Sequence, residues 1–588
     1  MTCSIYPHEL VALVGGSGTG KSSLLRILAG LQPPQHGHVL LGGEDLYQQL
    51  AQYQGSIGYV PQQESLLPYL TVERMLWYAA QLRLPATLTP DAVRQRIDAV
   101  LADVELADVR QQLFHTLSGG QRKRVSIALE LLAQPLFLFL DEPTTGLDPA
   151  LEKRFMLLLR SLAERYCTIV IVTHATASLL LCDRVAVLGS GGRLCFYGAP
   201  YEVRAFFECS TFAEIYPRVE QSAGGAAGWQ LAFRESVYYD EYVEQRLATL
   251  PMSGTPTRSP VSPVSPVSPA APARPLQQAQ FGRQTRLLAQ RYAELLRGDR
   301  RTLVQLLLQA ALAGSLIRVV APPAFLSDGQ PPHDGQRVIF LLVITAVLLG
   351  VLAAARELTR TRAVYQRERQ IGVQPLPYLL AKLIALVPLA GILAGLLLVP
   401  VLIGQPLPHG AFLPAALVGL EWWLGLWLAL AGGVGMGLLI SAVSRSSDQA
   451  MSLVPLVLIV QIMLAGLLVP LTGALDLLGN GIVARGAVQS LGNTADLNRL
   501  FYQTYASAPP GIFAPDLPAP PDSFRPSDYD LIQLRQYDAA GQSNALTTRR
   551  LHLLRVWAGL LVLNGAWVGG AWLALRAAER GGLPRKDC

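Results

Sequence analysis

The chain has 588 residues, 51% of them hydrophobic and only 15% charged, with a formal net charge of +6, an isoelectric point near 9.0 and a mean hydropathy of +0.32. That length holds about three to four domains at ~150 residues each. The basic surplus does not point to nucleic acid: no basic run is interleaved with aromatics, and arginines flanking apolar stretches account for it through the enrichment of Lys and Arg on the inner side of membranes.

Met1 to Glu9 has neither a basic region nor an apolar core, so no signal peptide is expected there. Leu10 to Val14 reads as a buried strand and Ser23 to Leu28 as a helix, and between them Gly15-Gly16-Ser17-Gly18-Thr19-Gly20-Lys21-Ser22 fits G-x-x-x-x-G-K-[ST]. Strand, glycine loop and helix in that order let backbone N–H groups close around phosphates, with Lys21 as a point charge and Ser22 as a hydroxyl for Mg²⁺. Leu117-Ser118-Gly119-Gly120-Gln121 then opens a basic helical stretch, and its N–H groups need a phosphate that their own loop does not hold. Leu136 to Leu140 is an apolar strand ending in Asp141-Glu142, which suits one acid to a metal shell and the next to an attacking water. Thr144-Thr145-Gly146-Leu147-Asp148 makes a turn, and a second buried strand, Thr168 to Thr173, ends in His174.

Taken singly, each fragment is a common glycine turn or a lone histidine; five in order, each at a strand or loop edge, are not. Together they resemble the nucleotide-binding domain of an ABC transporter. The resemblance implies that Gly15 to Ser22, with Ser23, form the Walker A loop, that Ser118, Gly119, Gly120 and Gln121 are the signature, and that Asp141 and Glu142 are the Walker B acid and the catalytic base. It further implies a D-loop over Thr145 to Asp148, a switch role for His174, and a Q-loop role for Gln62, or for Gln63 beside it, with Ser22, Asp141 and Gln62 around Mg²⁺. In that family two such domains meet head to tail, so the signature and Asp148 of one copy complete the ATP site built on Lys21 of the other. The glycine loop starts fourteen residues from Met1, and the family's adenine-stacking aromatic is expected to come from an upstream segment or a separate chain.

Thr249 to Pro275 contains a Ser-Pro-Val repeat, expected to be an extended tether. Phe281 to Arg301 carries Leu288, Tyr292 and Leu295 at helical spacing with Arg283, Arg286, Arg291 and Arg297 on the remaining surface, a pattern suited to lying on an inner leaflet. Six apolar spans follow, over 302–320, 337–355, 376–403, 415–443, 450–471 and 551–575. The segment from Arg356 to Pro375 holds five arginines, whereas Ala321 to Gly335 has none and carries Asp328 and Asp334, which puts the former in the cytosol. Six cysteines, Cys3, Cys167, Cys182, Cys195, Cys209 and Cys588, avoid the spans and form no C-x-x-C pair, so reduced thiols are expected.

This half resembles the type-2 permeases of the ABCG-like kind. Arg356-Glu357-Leu358 through Arg367-Glu368-Arg369, the Ser447-Asp448-Gln449-Ala450 turn and Val454 to Gln461 carry the likeness. It implies an α/β P-loop NTPase followed by an all-α six-helix transmembrane domain: nucleotide domain 1–208, linker 209–280, interfacial helix 281–301 and permease 302–588, with an outer segment over 472–550. That outer segment has no cysteine and so lacks the disulfides of eukaryotic relatives. Within the spans, Glu421 reads either as part of an interfacial belt with Trp422-Trp423 or as a functional acid, and Gln461 and Asn564 as interhelical hydrogen bonds or substrate contacts. Glu368, between two arginines, is expected to bond the ATPase surface. The whole implies a half-transporter that dimerises in the inner membrane and spends ATP as an exporter or as a translocator of lipids or hydrophobic compounds. The competing reading is an ATP-driven regulator that pulls on a membrane or periplasmic partner.

Overall fold

The computed structural model describes residues 2–62, 66–174, 176–222, 224–249, 281–326, 332–405, 410–466, 474–495, 497 and 545–582. The Ser/Pro tether, Gln63, Asp328, Cys588 and most of the outer segment lie outside the described residues. Two compact units divide the chain, Met1–Gly282 with Gln366–Val373, and Arg283–Tyr365 with Gln374–Cys588.

In the first unit β1 (Leu10–Gly15), β4 (Ile57–Val60), β5 (Phe137–Asp141), β6 (Thr168–Val172), β7 (Arg184–Gly189) and β8 (Arg193–Gly198) form one sheet in the order β4-β5-β6-β1-β7-β8, while β2 (Leu40–Leu41) pairs with β3 (Glu44–Asp45) in a short ribbon. Every residue of β1 and β6 is buried, as strands covered on both faces require. Pairing is parallel from β4 to β7, and only β8 runs antiparallel. The register sets Val60 beside Leu140, Asp141 beside Val172 and Leu13 beside Val172. The strand ends before Gly15, Gln62, Glu142 and His174 therefore open on the same edge, where ligands of parallel sheets bind.

Helices α1 (Lys21–Leu28), α2 (Val72–Arg83), α3 (Pro90–Asp103), α4 (Gly119–Leu131) and α5 (Pro149–Arg165) cover this sheet with further short helices. Residues 209–249, expected as the start of a linker, instead fold: α6 (Ile215–Gln221) and α7 (Gly225–Arg234) follow β8. The reason is aromatic burial, since Trp229 lies 4.8 Å from the Phe207 ring and Phe233 5.7 Å from Phe196.

The stretch expected to be an interfacial helix forms α8 (Phe281–Gly298), which belongs to the second unit from Arg283 on. Leu288 and Tyr292 are buried as their spacing predicts, but Gln284 and Arg291 are buried with them, so the arginines do not all occupy the outer face. This helix packs on polar groups: the Tyr292 hydroxyl donates to Glu357 at 2.7 Å, and the Lys382 ammonium lies 4.4 Å above the Tyr292 ring and 3.2 Å from Glu357.

Five described helices are long and apolar enough to cross a membrane: Arg300–Val320, Asp334–Arg360, Pro375–Leu402, Ala415–Val443 and Arg549–Ala578. The expected span over 450–471 is a shorter helix, Ser447–Met463, below the ~20 residues of a straight crossing; residues 467–471 lie outside the described ones. Small residues set the closest crossings. A Cβ on Gly350 would meet the Leu430 carbonyl at 2.2 Å, and one on Gly433 the Val347 carbonyl at 2.5 Å, so these two helices pack backbone to backbone. The outward side chains Val304, Leu308, Leu312 and Leu316 are exposed on the first span, as lipid contact demands.

Candidate functional site

The glycine loop works through conformation. Gly20, at φ 92°, caps α1 in the left-handed region, where a side chain would be strained, and a Cβ on Gly15 would meet the Leu188 carbonyl at 2.3 Å. The loop thus presents N–H groups from Gly16 to Ser23 and the positive end of α1 to one point. Lys21 is buried, and its ammonium donates to the Gly15 and Gly16 carbonyls at 2.9 and 2.7 Å. Burial lowers its pKa from the ordinary lysine value, against the opposing charges of Glu142 and Asp141.

One helix position on, the Ser22 hydroxyl donates to Asp141 Oδ1 at 2.8 Å. A hydroxyl and a carboxylate side by side at the end of β5 form a hard oxygen pair, which fits Mg²⁺ beside a triphosphate. The next residue, Glu142, has φ 48°, a left-handed backbone that costs a non-glycine residue roughly 1–3 kcal/mol and recurs at functional sites. Three side chains converge on its carboxylate: Gln62 Nε2 at 2.9 Å, His174 Nε2 at 3.1 Å and the Thr145 hydroxyl at 3.2 Å. Beneath them the buried hydroxyls of Thr144 and Thr173 meet at 3.2 Å and tie the two loops together.

The signature residues sit at the start of α4. Ser118 Oγ accepts from the Gln121 N–H at 3.3 Å, and Gln121 Oε1 accepts from the Ser118 N–H at 3.0 Å, a reciprocal cap. Asp148 likewise caps α5, its Oδ1 accepting from the Ala150 and Leu151 N–H groups at 3.0 Å each. Within one chain these side chains hold their own helices, and Gly119 has open space where a Cβ would be.

Two contributions were not singled out in the sequence. Tyr59, three residues before Gln62, donates to Asp141 Oδ2 at 3.4 Å; its place at the sheet edge was the available signal. The other is Arg367, in the Gln366–Val373 segment that clusters with the first unit. Its Nε donates to Glu130 at 2.9 Å, while Arg83 binds the same carboxylate at 2.8 Å. Burial pushes Glu130 up, but the two guanidiniums outweigh it and hold the carboxyl at about 2. Glu368, the acid expected to make this contact, adds its charge to the field at Arg83.

In the membrane unit Glu421 is buried, and its carboxylate accepts from the N–H groups of Ala411, Phe412 and Leu413 at 3.1, 2.8 and 2.6 Å. Its neighbours are interior too: Trp422 is fully buried, while Trp423 stacks on Trp427 and donates to the Gly391 carbonyl at 2.8 Å. Gln461 accepts from the Ala484 N–H at 3.0 Å, and Asn564 donates to the Leu428 carbonyl at 3.1 Å.

A P-loop at the carboxyl edge of a parallel sheet, an acid pair behind it and a glutamine and histidine closing on the second acid define an ABC-type nucleotide-binding domain. The ABC transporter family profile matches residues 1–145 and the ABC-2 type transporter profile residues 283–474. The chain therefore has the ATPase-then-permease order of an ABCG-like half-transporter. It is 32% identical over 510 residues to the ABC transporter ATP-binding/permease protein Rv1747 of Mycobacterium tuberculosis, a match covering 84% of this chain and 55% of that protein. ABC transporter G family member 22 of Arabidopsis thaliana is 37% identical over 226 residues, 36% of this chain and 30% of that one. The broad substrate specificity ATP-binding cassette transporter ABCG2 of Bos taurus is 39% identical over 207 residues, 34% of this chain and 31% of that one. The chain spans about half the length of the first of these relatives and about a third of the other two.

Proposed function

We propose that this chain is one half of an ATP-driven exporter of lipids or hydrophobic compounds, working as a dimer in the inner membrane with its ATPase in the cytoplasm. The observation that carries this is the convergence of Gln62, His174 and Thr145 on Glu142, one residue beyond the Ser22–Asp141 pair. Lys21 exchanges its loop carbonyls for the β- and γ-phosphates. Ser22, Asp141 and Gln62 would hold Mg²⁺, whose charge would offset that of the phosphate oxygens. Glu142 takes the proton of the attacking water, and His174 orients the γ-phosphate. The N–H groups of Gly119 and Gly120, with the Ser118 hydroxyl, meet the phosphates of a second copy, since the first turn of a helix leaves its donors unpaired.

The Arg83–Glu130–Arg367 cluster is the proposed coupling element. Glu130 lies on the helix that begins at the signature, so a pull on Arg367 moves the residues that close on ATP. The domain assignments follow the same reading: ATPase over 1–208, extended by the folded part of 209–280, interfacial helix 281–301 and permease 302–588 with its outer segment 472–550.

The test is purified protein in lipid vesicles, assayed for ATPase stimulation and for movement of labelled lipids and hydrophobic drugs. Movement that stops in Lys21→Ala, with nucleotide binding lost, is the expected result. Stimulation by a compound that is never moved would overturn transport in favour of an ATP-driven regulator.

A further inference from the structure

The catalytic constellation uses Gln62 at the end of β4 but leaves the residue three places earlier without a role. Tyr59 is half-buried at that strand end, and its hydroxyl donates to Asp141 Oδ2 at 3.4 Å. Burial raises the pKa of the same hydroxyl, and the nearby Arg26 guanidinium lowers it. Arg26 stands four residues after Ser22 on α1, so both lie on one helix face. Ser22 in turn donates to Asp141 Oδ1 at 2.8 Å.

The two bonds to Asp141 link α1, β5 and β4. One carboxylate oxygen of Asp141 is taken by the tyrosine, which turns the other toward Ser22. A carboxylate with both oxygens free rotates about its last torsion, which is broad, and loses alignment with the hydroxyl beside it. Gln62 meanwhile takes Glu142 at 2.9 Å. The end of one strand thus grips both adjacent acids, by the phenol on the first and the amide on the second.

We propose that Tyr59 is a positioning residue for divalent-cation binding in the ATP site: it orients Asp141 so that Oδ1 and the Ser22 hydroxyl form the metal-facing pair. This rests on the nucleotide-site reading above and deepens it. Tyr59 touches neither nucleotide nor metal; it acts through Asp141.

The experiment uses full-length Tyr59→Phe, which keeps the aromatic ring and removes the hydroxyl, with Arg26→Met as a second change beside the same hydroxyl. A fluorescent ATP analogue is titrated without divalent cation, and Mg²⁺ is then titrated at fixed analogue. The Tyr59 bond is long at 3.4 Å and lies at the weak end of hydrogen bonds, so half-saturating Mg²⁺ rises roughly threefold to tenfold in Tyr59→Phe, and in the same direction but less in Arg26→Met. Affinity without Mg²⁺ stays within about twofold, and hydrolysis recovers at high Mg²⁺. A Mg²⁺ curve superimposed on that of the unaltered protein overturns the proposal. So does an equal loss of affinity with and without Mg²⁺, the signature of a disturbed fold. If the unaltered protein binds Mg²⁺ and analogue yet hydrolyses nothing, the transporter reading fails while this binding comparison still decides the role of Tyr59.

Discussion

The edge of the sheet in the first unit and the long apolar helices of the second hold their acids differently. At the sheet edge of the first unit, side chains bond each other: Ser22 to Asp141, Gln62, His174 and Thr145 to Glu142. Such bonds can be exchanged for a ligand without stranding any backbone group. In the membrane unit three polar side chains of the long helices bond the main chain, Glu421 taking three N–H groups, Gln461 one and Asn564 a carbonyl, while Tyr292, Glu357 and Lys382 bond one another. The bonds to the main chain cannot be given up, because an unpaired backbone group away from water costs several kcal/mol. At the candidate ATP site Glu142 faces other side chains, whereas Glu421 faces the backbone.

The largest effect that sharpens this contrast is Glu142→Gln. The amide cannot accept the proton of the attacking water, so hydrolysis should fall by roughly 10²- to 10⁴-fold, while nucleotide binding and thermal stability stay put. Phosphate release and analogue binding measure the two separately. Near-normal turnover would remove Glu142 as the base.

Glu130→Gln tests the proposed coupling cluster of the first unit, where one buried carboxylate bonds two guanidiniums. Its carboxyl is held at about 2, below the ordinary 4.5, by Arg83 and Arg367 after burial has pushed it up. A depressed carboxylate contributes stability that is complete above its unfolded value near 4.5 and is lost as pH falls toward 2. Breaking such a pair costs about 3–5 kcal/mol. Glu130→Gln should therefore lower the unfolding temperature of the full chain at neutral pH and flatten its decline between pH 4.5 and 2. An unchanged acid limb would show that the cluster carries no linked stability.

Glu421→Gln is the smallest. It keeps one carbonyl oxygen for the turn at 411–413 and loses the charge, a change of about 1–3 kcal/mol. Thermal unfolding in detergent should drop modestly while ATP hydrolysis by the same sample keeps its rate and Mg²⁺ dependence. Altered transport with unaltered stability would return Glu421 to the functional class and break the comparison.

The placement of the candidate ATP-site residues at strand ends was legible in the chain because that pattern is local. The glycine loop, Asp141-Glu142 and His174 each sit at the end of an apolar run, and a run that ends marks a strand edge. Parallel pairing then had only to align those edges, which the register of Val60, Asp141 and Leu13 does. The partners of these residues were less legible. Tyr59 looks like an ordinary strand aromatic until β5 is laid beside β4, and Arg367 is one of five arginines until its distance to Glu130 is known. The membrane unit was legible as helices, from length and apolarity, but not in its polar detail. Glu421 ahead of two tryptophans has the composition of an interfacial belt, and only the fold of residues 411–413 back onto it makes it a buried anchor. Arg291 falls on the polar side of its helix by periodicity and is buried all the same. The sequence by itself determined what each short stretch can bind or bury, because backbone conformation and hydrophobic period are properties of neighbours in the chain. Which polar group meets which was decided only by the tertiary structure, because a hydrogen bond is set within about 3 Å and residues such as Arg367 and Glu130 lie far apart along the chain.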